Sequence, residues 1–193
     1  MARNEPSTYG TDVACFDDAD GLFSAVTGIG SVIQDAYHRI TTDDILGPGG
    51  KFGEDEAGLR QSAAAVQALL DREAARGIAP SRTVLMGFSQ GCAMTLMTAL
   101  RYPERLGGAI GMSGYLPLAA TTAAERSPAN ADLPIFLAHG TQDPIVVLPR
   151  GTASRDALVA LGHQVEWHDY PMPHSVCAEE IQHINAWLLK QLG

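Results

Sequence analysis

Little in this chain is basic. Lys and Arg number 13 against 22 Asp and Glu, a formal net charge of -9, and the basic residues are scattered singly. With no Lys/Arg cluster to neutralise phosphates, nucleic acid is excluded as a partner and anionic membrane surfaces are disfavoured. Cysteine is as sparse. Cys15, Cys92 and Cys177 are odd in number and far apart, which fits buried or free thiols in a reducing compartment rather than a disulfide framework. A cytoplasmic location is the expectation. No apolar run approaches the roughly 20 residues that cross a bilayer, and the N-terminus is polar and acidic, unlike a signal peptide; no membrane insertion is expected. Metal-ligand spacing is missing too. Glu179, Glu180 and His183, which share a face of the last expected helix, are the nearest approach to a cluster, and nothing else resembles a zinc or two-metal centre.

What remains is ordinary for a globular chain: 46% hydrophobic and 18% charged residues. A length of 193 residues favours one domain, 1–193, without repeat or clear linker. From about Glu54 onward helical and strand patterns alternate. Leu59, Ala63, Val66 and Leu70 make one apolar stripe on a helix that stops at Gly77. Thr83–Met86, Gly108–Met112 and Leu133–Ala138 read as buried strands, and Val165–Tyr170 as an alternating one. Helices are expected over Ser89–Arg101, Ser154–Leu161 and Cys177–Leu192, the last with Cys177, Ile181, Ile184 and Leu188 on one face. Apolar strands alternating with helices imply an α/β fold, a mostly parallel sheet covered on both faces. Functional groups then gather at the carboxyl ends of the strands. Residues 1–50 differ in texture: Asp17–Gly21 and Gly47–Gly50 are turn signals, and no helix or buried strand is evident between them.

Gly87-Phe88-Ser89-Gln90-Gly91 joins the strand ending at Met86 to the helix that follows. A serine on such a sharp turn is lifted out of the sheet, and the flanking glycines leave room where side chains would collide. The helix N-terminus meanwhile points its free N–H groups at charge that develops during acyl transfer. A serine hydroxyl needs a general base, itself oriented by a carboxylate. Asp143 follows the third strand and His174 the fourth, giving the order Ser…Asp…His of the α/β-hydrolases. Asp143 before a proline also suits a plain turn, and His174 also suits a residue preceding a helix. His139 competes with His174, but its place ahead of Asp143 fits a structural role. His38, His163, His168 and His183 are expected at the surface or half-buried. Ser113 lacks a preceding glycine and is expected to line the site rather than attack.

These residues resemble the small carboxylesterases and phospholipases related to acyl-protein thioesterases. The resemblance rests on Gly87–Gly91, Ser113-Gly114-Tyr115-Leu116-Pro117, His139–Val146 and Met172–Cys177, and covers Asp55 to the C-terminus. It implies cofactor-free hydrolysis of carboxylic esters, thioesters or lysophospholipids through catalytic Ser89, Asp143 and His174, with the Gln90 N–H as one oxyanion donor. Cys92 stands where the family has a second glycine after the elbow. The N-terminus departs from the pattern, because no His-Gly-Leu-Gly-type loop, the source of the second donor, precedes Ser89. Val26-Thr27 followed by Ala36-Tyr37-His38-Arg39-Ile40 matches a later family stretch without gaps. That reading leaves the N-terminal strands reduced or missing; the other takes Gly28-Ile29-Gly30 as a shortened, diverged loop. Loss of one donor costs about 10²–10³ in rate. Loss of two strands would expose a sheet edge, to be covered by a homodimer partner or by the atypical segment 1–50.

The expected function is serine carboxylesterase action on small-molecule esters with short or medium acyl chains, walled by Leu116, Leu118 and Met172. The stretch 118–130 reads either as part of that rim or as a plain surface crossover. The other class of reading is a hydrolase-fold binding protein, weakly active or inactive for want of a full oxyanion hole. Lactone or peptide hydrolysis by the same triad is a third.

Overall fold

The computed structural model describes residues 54–192 and the backbone of Val26–Gly28. The N-terminal stretches 17–21, 36–40 and 47–50, together with Cys15 and Ile29-Gly30, lie outside the described residues.

Among the described residues five strands form one sheet in sequential order, β1 (Val26–Gly28), β2 (Val84–Phe88), β3 (Gly108–Met112), β4 (Ile135–Gly140) and β5 (Val165–Tyr170), and every neighbouring pair is parallel. Among the described residues, helices α1 (Glu56–Ala75), α2 (Gln90–Arg101), α3 (Ala119–Glu125) and α4 (Leu148–Ala160) lie between successive strands, and α5 (Ala178–Leu192) follows β5. β1 is a strand that the sequence did not signal, and it pairs directly with β2 from Val26↔Val84 to Gly28↔Met86.

Alternation along the strands splits the core in two. Leu85, Ala109, Ile135 and Leu137 face one side, under α1 and α2, with Leu158 of α4. Val84, Ile110, Met112, Phe136 and Tyr170 face the other, under Ile184, Trp187 and Leu188 of α5. Both faces of the sheet therefore carry helices, as the apolar strands demand. β3 is rich in small residues because helices press on it from both sides. A Cβ on Gly108 would meet the Trp187 ring at 2.5 Å, and one on Gly111 would meet the Cys92 sulfur at 2.6 Å. α2 is central, with every residue from Gly91 to Leu100 buried, which is why its pattern is apolar all round. Asp55 caps α1 by accepting the Gly58 N–H at 3.0 Å, and Gly77 in the left-handed region (φ 93°) ends it.

Several boundaries move for physical reasons. β4 begins at Ile135 rather than Leu133, because Pro134 has no N–H for the ladder, and it runs on through His139 and Gly140, which pair with Asp169 and Tyr170. α4 begins six residues before the expected Ser154: Pro149 occupies its first turn, where the missing N–H costs nothing. The 118–130 stretch is ordered, as α3 and a 3₁₀ turn at Pro128–Asn130. On α5 the buried face is Glu180, Ile184, Trp187 and Leu188, whereas Ile181, expected inward, is 52% exposed.

Candidate active site

β2 delivers Ser89 to the carboxyl edge of the sheet in a strained backbone conformation, φ 58° and ψ -115°. Its N–H donates to Met112 O at 2.8 Å, which ties the turn to β3. Gly114 lies against this turn: a Cβ there would be 2.5 Å from Ser89 O and 2.4 Å from Cys92 Cβ. Gln90 is the first residue of α2, so its N–H has no intrahelical acceptor.

Asp143 follows β4 in a turn that holds its carboxylate from behind. Oδ1 accepts the N–H groups of Ile145 at 2.8 Å and Val146 at 2.9 Å, while Oδ2 lies 2.6 Å from His174 Nδ1. Burial pushes the Asp143 pKa up, but the hydrogen bonds from His174 and the two amides outweigh it, and the carboxyl lies below its ordinary value. The group is a carboxylate at neutral pH.

His174 follows β5 and is about one-sixth exposed at the side chain (17%). Its Nε2 lies 2.9 Å from Ser89 Oγ, and the Phe88 ring packs against the imidazole with centroids 4.7 Å apart. Since the carboxylate can only accept, Nδ1 carries a hydrogen, which leaves Nε2 of the neutral ring free to accept from the serine hydroxyl. The loops carrying Asp143 and His174 are joined to one another. Thr141 N–H donates to Tyr170 O at 2.8 Å and Gln142 N–H to Met172 O at 3.1 Å. Three strand ends thus bring Ser89, His174 and Asp143 into one hydrogen-bonded chain, able to move a proton from hydroxyl to imidazole and to stabilise the resulting imidazolium.

The other candidates fall as follows. Leu116 and Leu118, 4% and 9% exposed, belong to the core on the α1/α2 side, whereas Met172, 7% exposed, belongs to the core under α5. The structure does not bring Met172 into one apolar cluster with the two leucines. Leu116 is anchored by its N–H to Ser154 Oγ at 2.8 Å, and Leu118, left-handed at φ 48°, by its N–H to Glu54. Ser113, expected to line the site, is fully buried and left-handed (φ 47°). Burial pushes the Cys92 thiol up to about 12, an inert packing role. His163 proves buried, and that burial lowers its pKa. His168 and His183 are half-buried and stacked, with centroids 4.4 Å apart. Among the described residues, no group of three His, Cys, Asp or Glu side chains is placed to hold a metal.

His139 was expected in a structural role, whereas the burial of Glu180 was not expected. His139 is 1% exposed and turned toward the Asp143 loop. Glu180 is fully buried, and its carboxyl faces the Cys177 amide without closing a full hydrogen bond, so burial, only partly offset by that amide, pushes it up to about 7. The spacing Cys177-x-x-Glu180 at the start of α5 was the legible signal, since a Glu at the third helical position reaches back to the cap amide.

With this geometry in place, the comparisons are specific. The profile of the phospholipase/carboxylesterase family matches residues 44–192. An acyl-protein thioesterase 1 from Gibberella zeae is 42% identical over 142 residues, 72% of this chain and 60% of that protein. A probable carboxylesterase from Oryza sativa is 35% identical over 140 residues, 72% of this chain and 53% of that protein. The crystal structure of Arabidopsis thaliana SOBER1 superposes with a TM-score of 0.71 at 31% identity, covering 74% of this chain and 68% of that one. The chain thus spans about three fifths of the length of the first of these relatives. No described helix is long and apolar enough to cross a membrane.

Proposed function

The chain belongs to the phospholipase/carboxylesterase family, and on that premise we propose that it is a serine carboxylesterase acting on short- to medium-chain esters. The observation that carries this reading is the continuous chain of hydrogen bonds, Ser89 Oγ to His174 Nε2 at 2.9 Å and His174 Nδ1 to Asp143 at 2.6 Å. Ser89 Oγ attacks the ester carbonyl carbon while His174 Nε2 takes the hydroxyl proton. Asp143 holds the ring in its tautomer and faces the positive charge that forms. The tetrahedral oxyanion is met by the Gln90 N–H at the head of α2. His174 then returns the proton to the departing alkoxide, leaving an acyl-Ser89 ester, and the same steps run with water release the acid. Leu116, Leu118 and Met172 are proposed to flank the acyl group from the two sides of the sheet edge.

A chromogenic acetate or butyrate ester tests the proposal together with a fluorophosphonate probe. Turnover and labelling are expected in the native chain, and both vanish in Ser89→Ala. Folded native protein with no Ser89-dependent turnover refutes the reading and leaves the weakly active binding protein in its place. Thioester hydrolysis is the second reading, favoured by the relative that is named an acyl-protein thioesterase 1. Comparing kcat/KM for an acyl ester and the matching acyl thioester separates the two.

A further inference from the structure

We propose that His139 is the positioning residue of Asp143, acting through the carbonyl of Val146; this rests on the reading of Ser89, His174 and Asp143 as the catalytic relay. β4 carries His139 into the interior, where its Nε2 lies 2.7 Å from Val146 O. A carbonyl oxygen can only accept, so Nε2 bears the hydrogen and donates it. The N–H of the same Val146 donates to Asp143 Oδ1 at 2.9 Å. Val146 is therefore gripped on both sides, by the histidine through its C=O and by the catalytic carboxylate through its N–H.

The grip matters because it acts on the residue that packs the turn into the interior. Ile145 and Val147 point outward, 68% and 46% exposed, and Val146 alone is buried between them. If the turn lifts, the two amides that orient Oδ1 move with it. The imidazole itself has no room to swing. A Cβ on Gly151 would lie 2.4 Å from His139 Nδ1, so α4 presses directly on the ring. That contact also explains a glycine in the first turns of α4, where propensity disfavours it. The donor hydrogen sits close to the relay as well, with Nε2 3.7 Å from Asp143 Oδ2, the oxygen that His174 engages. His139 touches neither serine nor substrate; it fixes the carboxylate that fixes the base.

Three forms of the full chain test this. His139→Gln places an amide N–H near the Nε2 position, whereas His139→Met fills similar space without a donor. The Met form is expected to lose about 30–100-fold in kcat with KM little changed, the scale of a displaced catalytic group, while the Gln form stays within about threefold of the native chain. If the Met form does not fold, His139→Asn replaces it, since its amide is too short to reach Val146 O. The second readout needs no turnover: the imidazole Nδ1–H proton of His174, followed by NMR in histidine-labelled free protein. It should keep its native position in the Gln form and shift or broaden in the Met form. A Met form with native kcat and an unmoved resonance overturns the proposal, and so does a Gln form that falls as far as the Met form. If the native chain has no turnover but the resonance moves as described, the positioning role stands and the esterase reading falls.

Discussion

A Cβ on Gly87 would lie 2.1 Å from the backbone of Gly91. The two glycines of the elbow are thus in contact across Phe88-Ser89-Gln90, and the strand turns into the helix through a gap that no side chain can enter. Neither partner can yield, because both contacting groups are main chain.

Gly87→Ala should therefore be among the most damaging single-methyl additions in the chain. Backbone must shift to admit the methyl, a cost of about 3 kcal/mol or more, and Ser89 moves away from His174. Urea unfolding and fluorophosphonate labelling measure the two effects separately. A variant that keeps native stability and native labelling rate would show that the elbow is looser than this contact requires.

Ser89 stores strain of a different kind. At φ 58° and ψ -115° it occupies backbone space that L-residues avoid and glycine tolerates. Ser89→Gly should relieve about 1 kcal/mol of that strain net of the greater freedom glycine gains when unfolded, whereas Ser89→Ala keeps it. Both variants should lose the proposed esterase activity, but the Gly form should unfold at higher denaturant than the Ala form. Equal midpoints would remove strain from the account of this turn.

The sequence revealed the elements whose signals are local. The Gly-x-Ser-x-Gly turn, the apolar runs of β2 and β3, and Asp143 and His174 at strand ends could all be read from neighbouring residues. Contacts between distant residues were not legible. Gly151 looks like a helix breaker until the His139 ring is seen to fill the place of its side chain. Pro149 looks like one until it falls in the first turn of α4. Glu180 looks like a surface charge until α5 turns it inward with Ile184, while Ile181, one residue on, faces out. Val26–Gly28 is too short for any periodicity, and its strand exists through pairing with β2.

Asp143→Asn keeps the shape of the turn but forfeits the charge. An amide can present its N–H₂ to His174 and force the wrong tautomer, and kcat should fall about 10³–10⁴-fold with Ser89 still in place. Stability should respond to acid as well. The Asp143 carboxyl is held below its ordinary value, so its stabilisation is fully present above that ordinary value and is lost as pH falls through the lower folded one. Urea titrations at pH 7 and in the acid range should show the native chain losing more stability than the Asn form. Parallel losses would mean that the carboxylate is not held as the hydrogen bonds indicate.

Glu180 works in the opposite direction and at a milder pH. Burial at the start of α5 raises its carboxyl to about 7, above the ordinary 4.5, with only the Cys177 amide opposing. Tyr170, whose hydroxyl is 2.9 Å from His183 Nδ1, lies close enough to feel the Glu180 charge. The folded chain therefore holds a proton that the unfolded chain releases, so stability is lost as pH rises from the ordinary carboxyl value to about 7 and stays lost above it. A shift of this size corresponds to about 3 kcal/mol. Glu180→Gln stays neutral throughout, so it should be more stable than the native chain at pH 8 by about 2–3 kcal/mol and nearly equal to it at pH 5. His163 titrates in the same window with the opposite sign, since its folded value is lowered, but it is common to both chains and cancels in their difference. Urea unfolding of the two proteins at pH 5 and pH 8 gives that difference directly. A Gln form whose advantage is the same at both pH values would show that Glu180 does not carry the proton.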